Sequence, residues 1–377
     1  MRIAIIGAGI GGLVAAAGLH TDGHEVAVYE RRATPQAVGA GLTLFGNAFA
    51  ALDALGLGEA VREISTDAAG RLRSGQRQPS GRWLLTLPPS EAPSVRSLHR
   101  SDLHRALVDQ LPGATIRRGQ EGIVSSTGAP VVVVAGCEER YDLVIAADGL
   151  RSDARRRWGL DGGLRYAGYT AWRGVTTSRG HLADEAGETW GAGQRFGIVP
   201  LPDRRVYWFA TRSVAPGKDD ADPHATLRTL FGQWHHPIGE LIEATAPESI
   251  LRHDIYDLAG FPASFIRHRG ALLGDAAHAM TPDLGQGAGQ AIEDAATLVT
   301  LLRGSRVQDL DTVLGRYDRL RRARTRGIWR RSRTMGRIAQ SSGRTATRLR
   351  DAALRAVPAS FAVTAMDRLQ DWAPPRP

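Results

Sequence analysis

The chain has 377 residues, 42% of them hydrophobic, which is enough for two lobes with packed cores, and its net charge is +9. Its single cysteine, Cys137, excludes an internal disulfide and a Cys-x-x-Cys redox pair. No apolar run approaches the ~20 residues of a membrane span, and a strand pattern begins at Arg2, so no signal peptide is visible and a cytoplasmic setting is expected.

Arg2 to Ile6 reads as a short apolar strand, followed by Gly7-x-Gly9-x-x-Gly12, a helical run through Leu13, Ala16 and Leu19, and a second strand from Glu25 to Glu30. In such a unit Gly7 permits the tight turn, Gly9 lets the backbone approach a pyrophosphate, and Gly12 lets the helix sit close on the strand. Glu30, at the end of the second strand, is placed to accept the hydroxyls of an adenosine ribose, with Arg31 beside the adenosine. Strand, glycines, helix, strand and terminal acid in this order predict dinucleotide binding. An ordinary βαβ unit with a small-residue turn would leave Glu30 unexplained.

Residues 71 to 93, rich in Gly, Pro and Ser, read as an excursion from the first lobe. Arg100 opens a helix for which Ser101 is a plausible N-cap. Tyr141 to Ala147 has a buried-strand pattern and runs into Asp148-Gly149. From about Leu164 the pattern is strand-like, at 169–175, 195–201 and 205–212, with Pro202-Asp203 as a hairpin turn. Alternation along the last of these puts Arg205, Tyr207, Phe209 and Thr211 on one face, and Val206, Trp208 and Ala210 on the other.

Ala271 to Leu273 is again a strand. It enters a Gly-Asp turn at Asp275 and then the loop Thr281-Pro282-Asp-Leu-Gly285-Gln-Gly287-Ala288-Gly289, which opens a helix. Such a turn offers a carboxylate to a hydroxyl chain and a row of backbone N–H groups to an electron-rich ligand. Between Gly315 and Val357 there are 14 arginines against Asp318 and Asp351, so the rest of the chain is close to −3. Tyr317, Leu320, Ile328, Met335 and Ile338 recur at near-helical spacing there, which predicts a solvated basic helix with its apolar face on the first lobe. A weak membrane-surface contact is the alternative, and no nucleic-acid partner is expected.

The turn at Asp275, the glycine triplet, Asp148-Gly149 and Arg100 occur in the order of the single-component (class A) FAD-dependent monooxygenases of the para-hydroxybenzoate hydroxylase type, and residues 1 to 330 resemble that family. The segments at Gly39 to Leu44, Gly46 to Ala48, Tyr166 to Gly174 and His253 to Ile255 are similar to the branch that holds urate hydroxylases and zeaxanthin epoxidase-like enzymes. The resemblance implies an α/β fold: a Rossmann-like FAD-binding domain (1–70, 95–163 and 270–314) with an inserted antiparallel-sheet substrate domain (71–94 and 164–269) and C-terminal helices (315–377). It implies FAD as cofactor, NADH or NADPH and dioxygen as co-substrates, and hydroxylation or epoxidation of a small aromatic, heterocyclic or natural-product substrate through a flavin C4a-hydroperoxide. A monomer or homodimer is expected.

On the cofactor side the resemblance places Arg100 near the pyrophosphate, Asp148 near FAD and the nicotinamide, and Asp275 at the ribityl chain. Pro282, Gly285, Gly287, Ala288 and Gly289 belong at the flavin ring, with Gly39 to Thr43 on its other side and Gly122 a further cofactor-side candidate. Arg205, Tyr207 and Arg173 are the substrate-side candidates. Urate-type relatives carry asparagine at the position of Arg173, which argues against urate itself. No catalytic base is identified. A second Gly-x-Gly-x-x-Gly, a halogenase Trp-x-Trp-x-Ile-Pro segment, a P-loop and a Gly-x-Ser-x-Gly elbow are all absent. A flavin-dependent dehydrogenase or reductase without oxygen insertion, or a non-catalytic flavin-binding protein, are the remaining alternatives.

Overall fold

A computed structural model describes residues 1–34, 40–87, 94–177, 185–217 and 220–376. Arg2–Ile6 pairs in parallel with Glu25–Glu30 on one side and Leu143–Ala146 on the other. Ile116–Arg118 extends the sheet beyond Glu25–Glu30, and Gly270–Leu272 extends it beyond Leu143–Ala146, with Ile266–Arg267 antiparallel at the edge. Ile3, Ile5, Val28, Ile145 and Leu272 are buried to the last atom, as expected of central strands covered on both faces. The helices Ile10–Thr21 and Gly287–Leu302 pack against each other over this core.

A seven-stranded sheet is stacked beside it, in the order Leu251–Leu258, Leu164–Val175, Val206–Ser213, Gln194–Pro200, Gly187–Trp190, Ser74–Arg77 and Trp83–Leu87. The segment after residue 70 therefore supplies the last two strands at one end of the sheet, Ser74–Arg77 joining Gly187–Trp190 in parallel and Trp83–Leu87 forming the edge. Period-2 alternation divides the faces. Trp172, Ala210 and Phe196 are cross-strand partners on one face, as are Trp208 and Ile198. They bury against the helices Pro223–Phe231 and Ile238–Glu243, with Phe196 stacked on Trp208 at 5.4 Å. The opposite face carries Ala171, Arg173, Tyr207, Phe209, Thr211, Arg195 and Val199, all of which line a cavity between the two sheets.

Two local expectations differ. The helix Arg100–Val108 begins two residues earlier than the Ser101 cap requires: His99 is its N-cap, and no side chain caps it. In the arginine-rich helix Leu310–Ala339 the buried stripe runs through Leu314, Tyr317, Arg321, Thr325, Ile328, Ser332 and Gly336, while Leu320 and Ile338 are each 43% exposed. The stripe accepts Arg321 because Glu293 and Asp294 of the helix Gly287–Leu302 lie beneath it, at 2.6 and 2.5 Å. An apolar-only pattern misses a buried position whose charge is paired. Among the described residues no helix is long and apolar enough to cross a membrane.

Candidate functional site

The cavity has a volume of about 590 Å³ and lies at the carboxyl ends of Arg2–Ile6 and Leu143–Ala146, the usual ligand position in doubly wound sheets. Its floor is Gly9 to Gly12, its far wall Leu273 to Asp275 with Thr281, Pro282, Gly285, Gly287 and Ala288, and its roof the cavity face of the seven-stranded sheet.

The three glycines of the first turn have different reasons to be glycine. Gly7 has φ +103°, and a Cβ there would sit 2.5 Å from the Ala147 carbonyl oxygen. A Cβ on Gly12 would lie 2.2 Å from the Gly7 carbonyl oxygen, so only glycine lets the helix come this close. Gly9 meets nothing within 4 Å, and its turn opens onto the cavity. Glu30 braces that turn: its carboxylate accepts from Ala8 N at 3.0 Å and from Arg32 N at 2.9 Å. Each carboxylate oxygen retains a lone pair for a further donor.

At the opposite wall Gly274 (φ +64°) turns the chain after Leu272, and the Asp275 carboxylate is exposed onto the cavity without a hydrogen bond among the described residues. Arg100, also exposed onto the cavity, is the facing charge. Burial lowers its pKa, Asp275 raises it again, and Arg173 and Arg32 lower it further. Asp148 caps its own turn through Oδ2, which accepts from Ala154 N at 3.1 Å, while its Oδ1 is buried without a partner. Gly287, at the start of a helix of 16 residues, also has open space where a Cβ would be. An extended polar ligand with phosphate and hydroxyl groups fits these observations: an uncommitted carboxylate, a facing arginine, an orphaned carboxylate oxygen and two open glycines at helix starts. The residues fit FAD.

Of the cofactor-side candidates, Gly9, Gly12, Thr43, Arg100, Asp275, Pro282, Gly285, Gly287 and Ala288 line the cavity. Gly7, Glu30 and Asp148 lie just behind it in the turns they shape. Gly122 is packed against Ile6, Tyr29 and Val132, Gly289 faces Asn47, and Arg31 is exposed away from the lining. Gly39 lies outside the described residues.

On the substrate side, Arg173 and Tyr207 line the cavity and Arg205 does not. The strand starts at Val206, and the hairpin turn folds the Arg205 guanidinium back onto Asp203 at 2.5 Å and His99 at 3.0 Å. Burial pushes the Tyr207 hydroxyl pKa up, against the pull of Arg173 and Arg100. Arg195, Phe209, Thr211, Tyr169 and His253 complete the roof. Arg195 and His253 were not legible as site residues. The available signal was period 2: Arg195 lies across from Thr211, and His253 across from Ala171.

Below the far wall a buried polar cluster anchors the second flavin-like motif. Asp294 accepts from Gly274 N at 2.8 Å and from His278 at 2.6 Å, and Glu293 accepts from Asn47 at 2.6 Å. Arg321 and Arg324 close the cluster from the helix Leu310–Ala339.

The fold and this site define an FAD-binding flavoprotein. A family model described as FAD binding domain matches residues 1–332. An aurachin C monooxygenase/isomerase of Stigmatella aurantiaca is 36% identical over 354 residues, covering 90% of each chain. A 2-heptyl-3-hydroxy-4(1H)-quinolone synthase of Pseudomonas aeruginosa is 34% identical over 371 residues, covering 95% of this chain and 94% of its own. Klebsiella pneumoniae HpxO, solved in complex with FAD and uric acid, superposes with a TM-score of 0.87 at 29% identity, covering 98% of this chain and 96% of that one. The chain belongs to the FAD binding domain family and, within it, to the class A FAD-dependent hydroxylases.

Proposed function

We propose that this protein is a monooxygenase that uses FAD, NADH or NADPH and dioxygen to hydroxylate a small aromatic or heterocyclic ring. The observation that carries the reading is the meeting, around one cavity, of the open turn at Gly9, the uncommitted Asp275 carboxylate and the aromatic face of the seven-stranded sheet. Bound FAD, once reduced by the nicotinamide, supplies the activation of dioxygen and an electrophilic oxygen atom.

The chain's own residues bind, orient and exclude water. The backbone N–H groups that start the helix Ile10–Thr21 would receive the pyrophosphate, with Arg100 as its counter-charge. Glu30 would accept a ribose hydroxyl and Asp275 a ribityl hydroxyl. Thr43, Pro282, Gly285, Gly287 and Ala288 would border the flavin ring. Tyr207, Phe209, Ala171 and Val199 would hold the substrate ring from above and keep the reacting space dry.

The test is the oxygen balance. The purified protein is expected to be yellow, with one FAD per chain. Substrate should accelerate its NADH or NADPH oxidation, and product formed under ¹⁸O₂ should carry one labelled atom. Rapid flavin reduction with unlabelled product would instead define a dehydrogenase or reductase, and a colourless protein would overturn the cofactor assignment.

A further inference from the structure

We propose that His253 is the general base of this enzyme, taking a proton from an acidic O–H or N–H on the substrate ring, and that Arg173 holds the anion so formed. The assignment rests on the monooxygenase reading above and narrows its substrate to rings that carry such a group.

The register places the pair. On adjacent antiparallel strands His253 is opposite Ala171, and Arg173 is opposite Leu251. His253 and Arg173 are thus diagonal neighbours on one face of the sheet, a spacing of roughly 7–8 Å at the backbone that long side chains bridge. That face is the roof of the cavity, and both residues line it. Neither side chain makes an ion pair or hydrogen bond among the described residues, whereas the other roof arginine, Arg195, is held by both Glu188 and Asp283. A half-buried guanidinium that faces a cavity and is paired with none of its carboxylates is incomplete until an anion or acceptor arrives.

The surrounding charges set the direction of proton transfer. His253 is faced by Arg173 from the next strand, by Arg100 from across the cavity, and by Arg252 and Asp254 on its own strand. Asp254 is already engaged by Thr170 at 2.6 Å and by Gly217 N at 2.7 Å. Burial first, and then Arg173 and Arg100, hold the imidazole below its usual range, so it is neutral and free to accept a proton at physiological pH. The same arginines favour the ionised form of a bound phenol, hydroxyheterocycle or acidic ring amide. In the step, the O–H or N–H bond breaks, the proton moves to an imidazole nitrogen, and the electron pair stays on the ring substituent. That pair delocalises to ring carbon, which becomes the better nucleophile for an electrophilic oxygen. Epoxidation of an isolated alkene would use neither residue.

The test uses the FAD-loaded protein with 4-nitrophenol, whose ionisation is visible, and 4-nitroanisole, which cannot ionise. Wild type is expected to bind the phenol as phenolate, ionised at least about tenfold more readily than in water, and to bind the anisole at least tenfold more weakly. Little proton should appear in the buffer, because the phenolate bound beside the imidazole is an opposite charge that raises its proton affinity above that of the empty site, and the imidazole then keeps the proton. His253→Gln should still bind phenolate but release close to one proton per ligand to a pH indicator. Arg173→Gln should lose the preference for phenolate while retaining FAD. The proposal is overturned if wild type fails to bind the phenol, binds it protonated, or binds the anisole equally well. It is also overturned if the proton count of His253→Gln matches that of wild type. Absence of FAD, or of ¹⁸O incorporation, would strike the monooxygenase reading itself and is scored separately.

Discussion

Arg195 donates to Asp283 across the seam between the seven-stranded sheet and the turn Pro282–Leu284, and both side chains are almost completely buried. Tyr169 adds a second donor to Asp283 at 2.8 Å, and Glu188 holds the far side of the Arg195 guanidinium at 2.7 Å. Pro282, which lines the cavity, adjoins Asp283 in the chain, so the ion pair ties the roof of the cavity to its far wall.

Arg195→Met should therefore strand the buried Asp283 carboxylate in the interior and leave the partly exposed Glu188 without its arginine. Removing one partner of a buried ion pair costs about 3–5 kcal/mol, and chemical denaturation should show a loss of that order together with weaker FAD retention. Unchanged stability would show that the pair is dispensable.

Asp275→Ala removes an exposed carboxylate that has no partner of its own among the described residues, so the fold should stay as stable as wild type. A lost charge-assisted hydrogen bond is worth about 1.5–3 kcal/mol, or roughly ten- to hundredfold in FAD affinity. Titration of apoprotein with FAD measures it, and equal affinities would remove Asp275 from the cofactor site.

The cluster beneath the far wall predicts a specific acid sensitivity. Burial works to raise the pKa values of Glu293 and Asp294, but Arg321 with Arg324, and His278 with Arg321, outweigh it, and both end below their usual values. A carboxylate depressed in the folded state contributes stability that is complete above its unfolded value and is lost as pH falls toward the folded one. The melting temperature should hold down to about pH 4–5 and then drop. Arg321→Met should lower it at neutral pH, by about 3–5 kcal/mol in stability, and flatten the acid limb. An acid limb of identical steepness in the variant would contradict this.

Arg205→Met should be almost silent. Its guanidinium is 38% exposed and paired with Asp203 outside the cavity, and exposed pairs contribute about 0–1 kcal/mol. FAD content and the ratio of product to NADH or NADPH consumed should match wild type. A rise in hydrogen peroxide release would place Arg205 at the substrate after all.

Much of the nucleotide side was legible because its constraints are local. Gly7 needs a positive φ, Gly12 needs contact between a helix and the turn five residues before it, and Gly274 turns a strand directly into Asp275; each shows as a glycine at fixed spacing from a strand. The alternation of Tyr207, Phe209 and Thr211 against Val206, Trp208 and Ala210 was legible for the same reason, since period 2 is a property of one strand. Arg205 broke the pattern because the strand begins one residue later and Asp203, two residues away, captures its charge.

What only the tertiary structure decided are the relationships between segments far apart in the chain. Arg195 and Asp283 are 88 residues apart, and Arg321 and Asp294 are 27 apart. An arginine in a sequence looks the same whether it is solvated, as a net +9 suggests, or buried against two carboxylates. The amino-acid order determined which backbone conformations were open to each turn and which face each strand would bury. Burial and pairing of charge depend on what another segment brings to the same place, so they determined which arginines hold the fold together and which, like Arg173, are left facing the cavity.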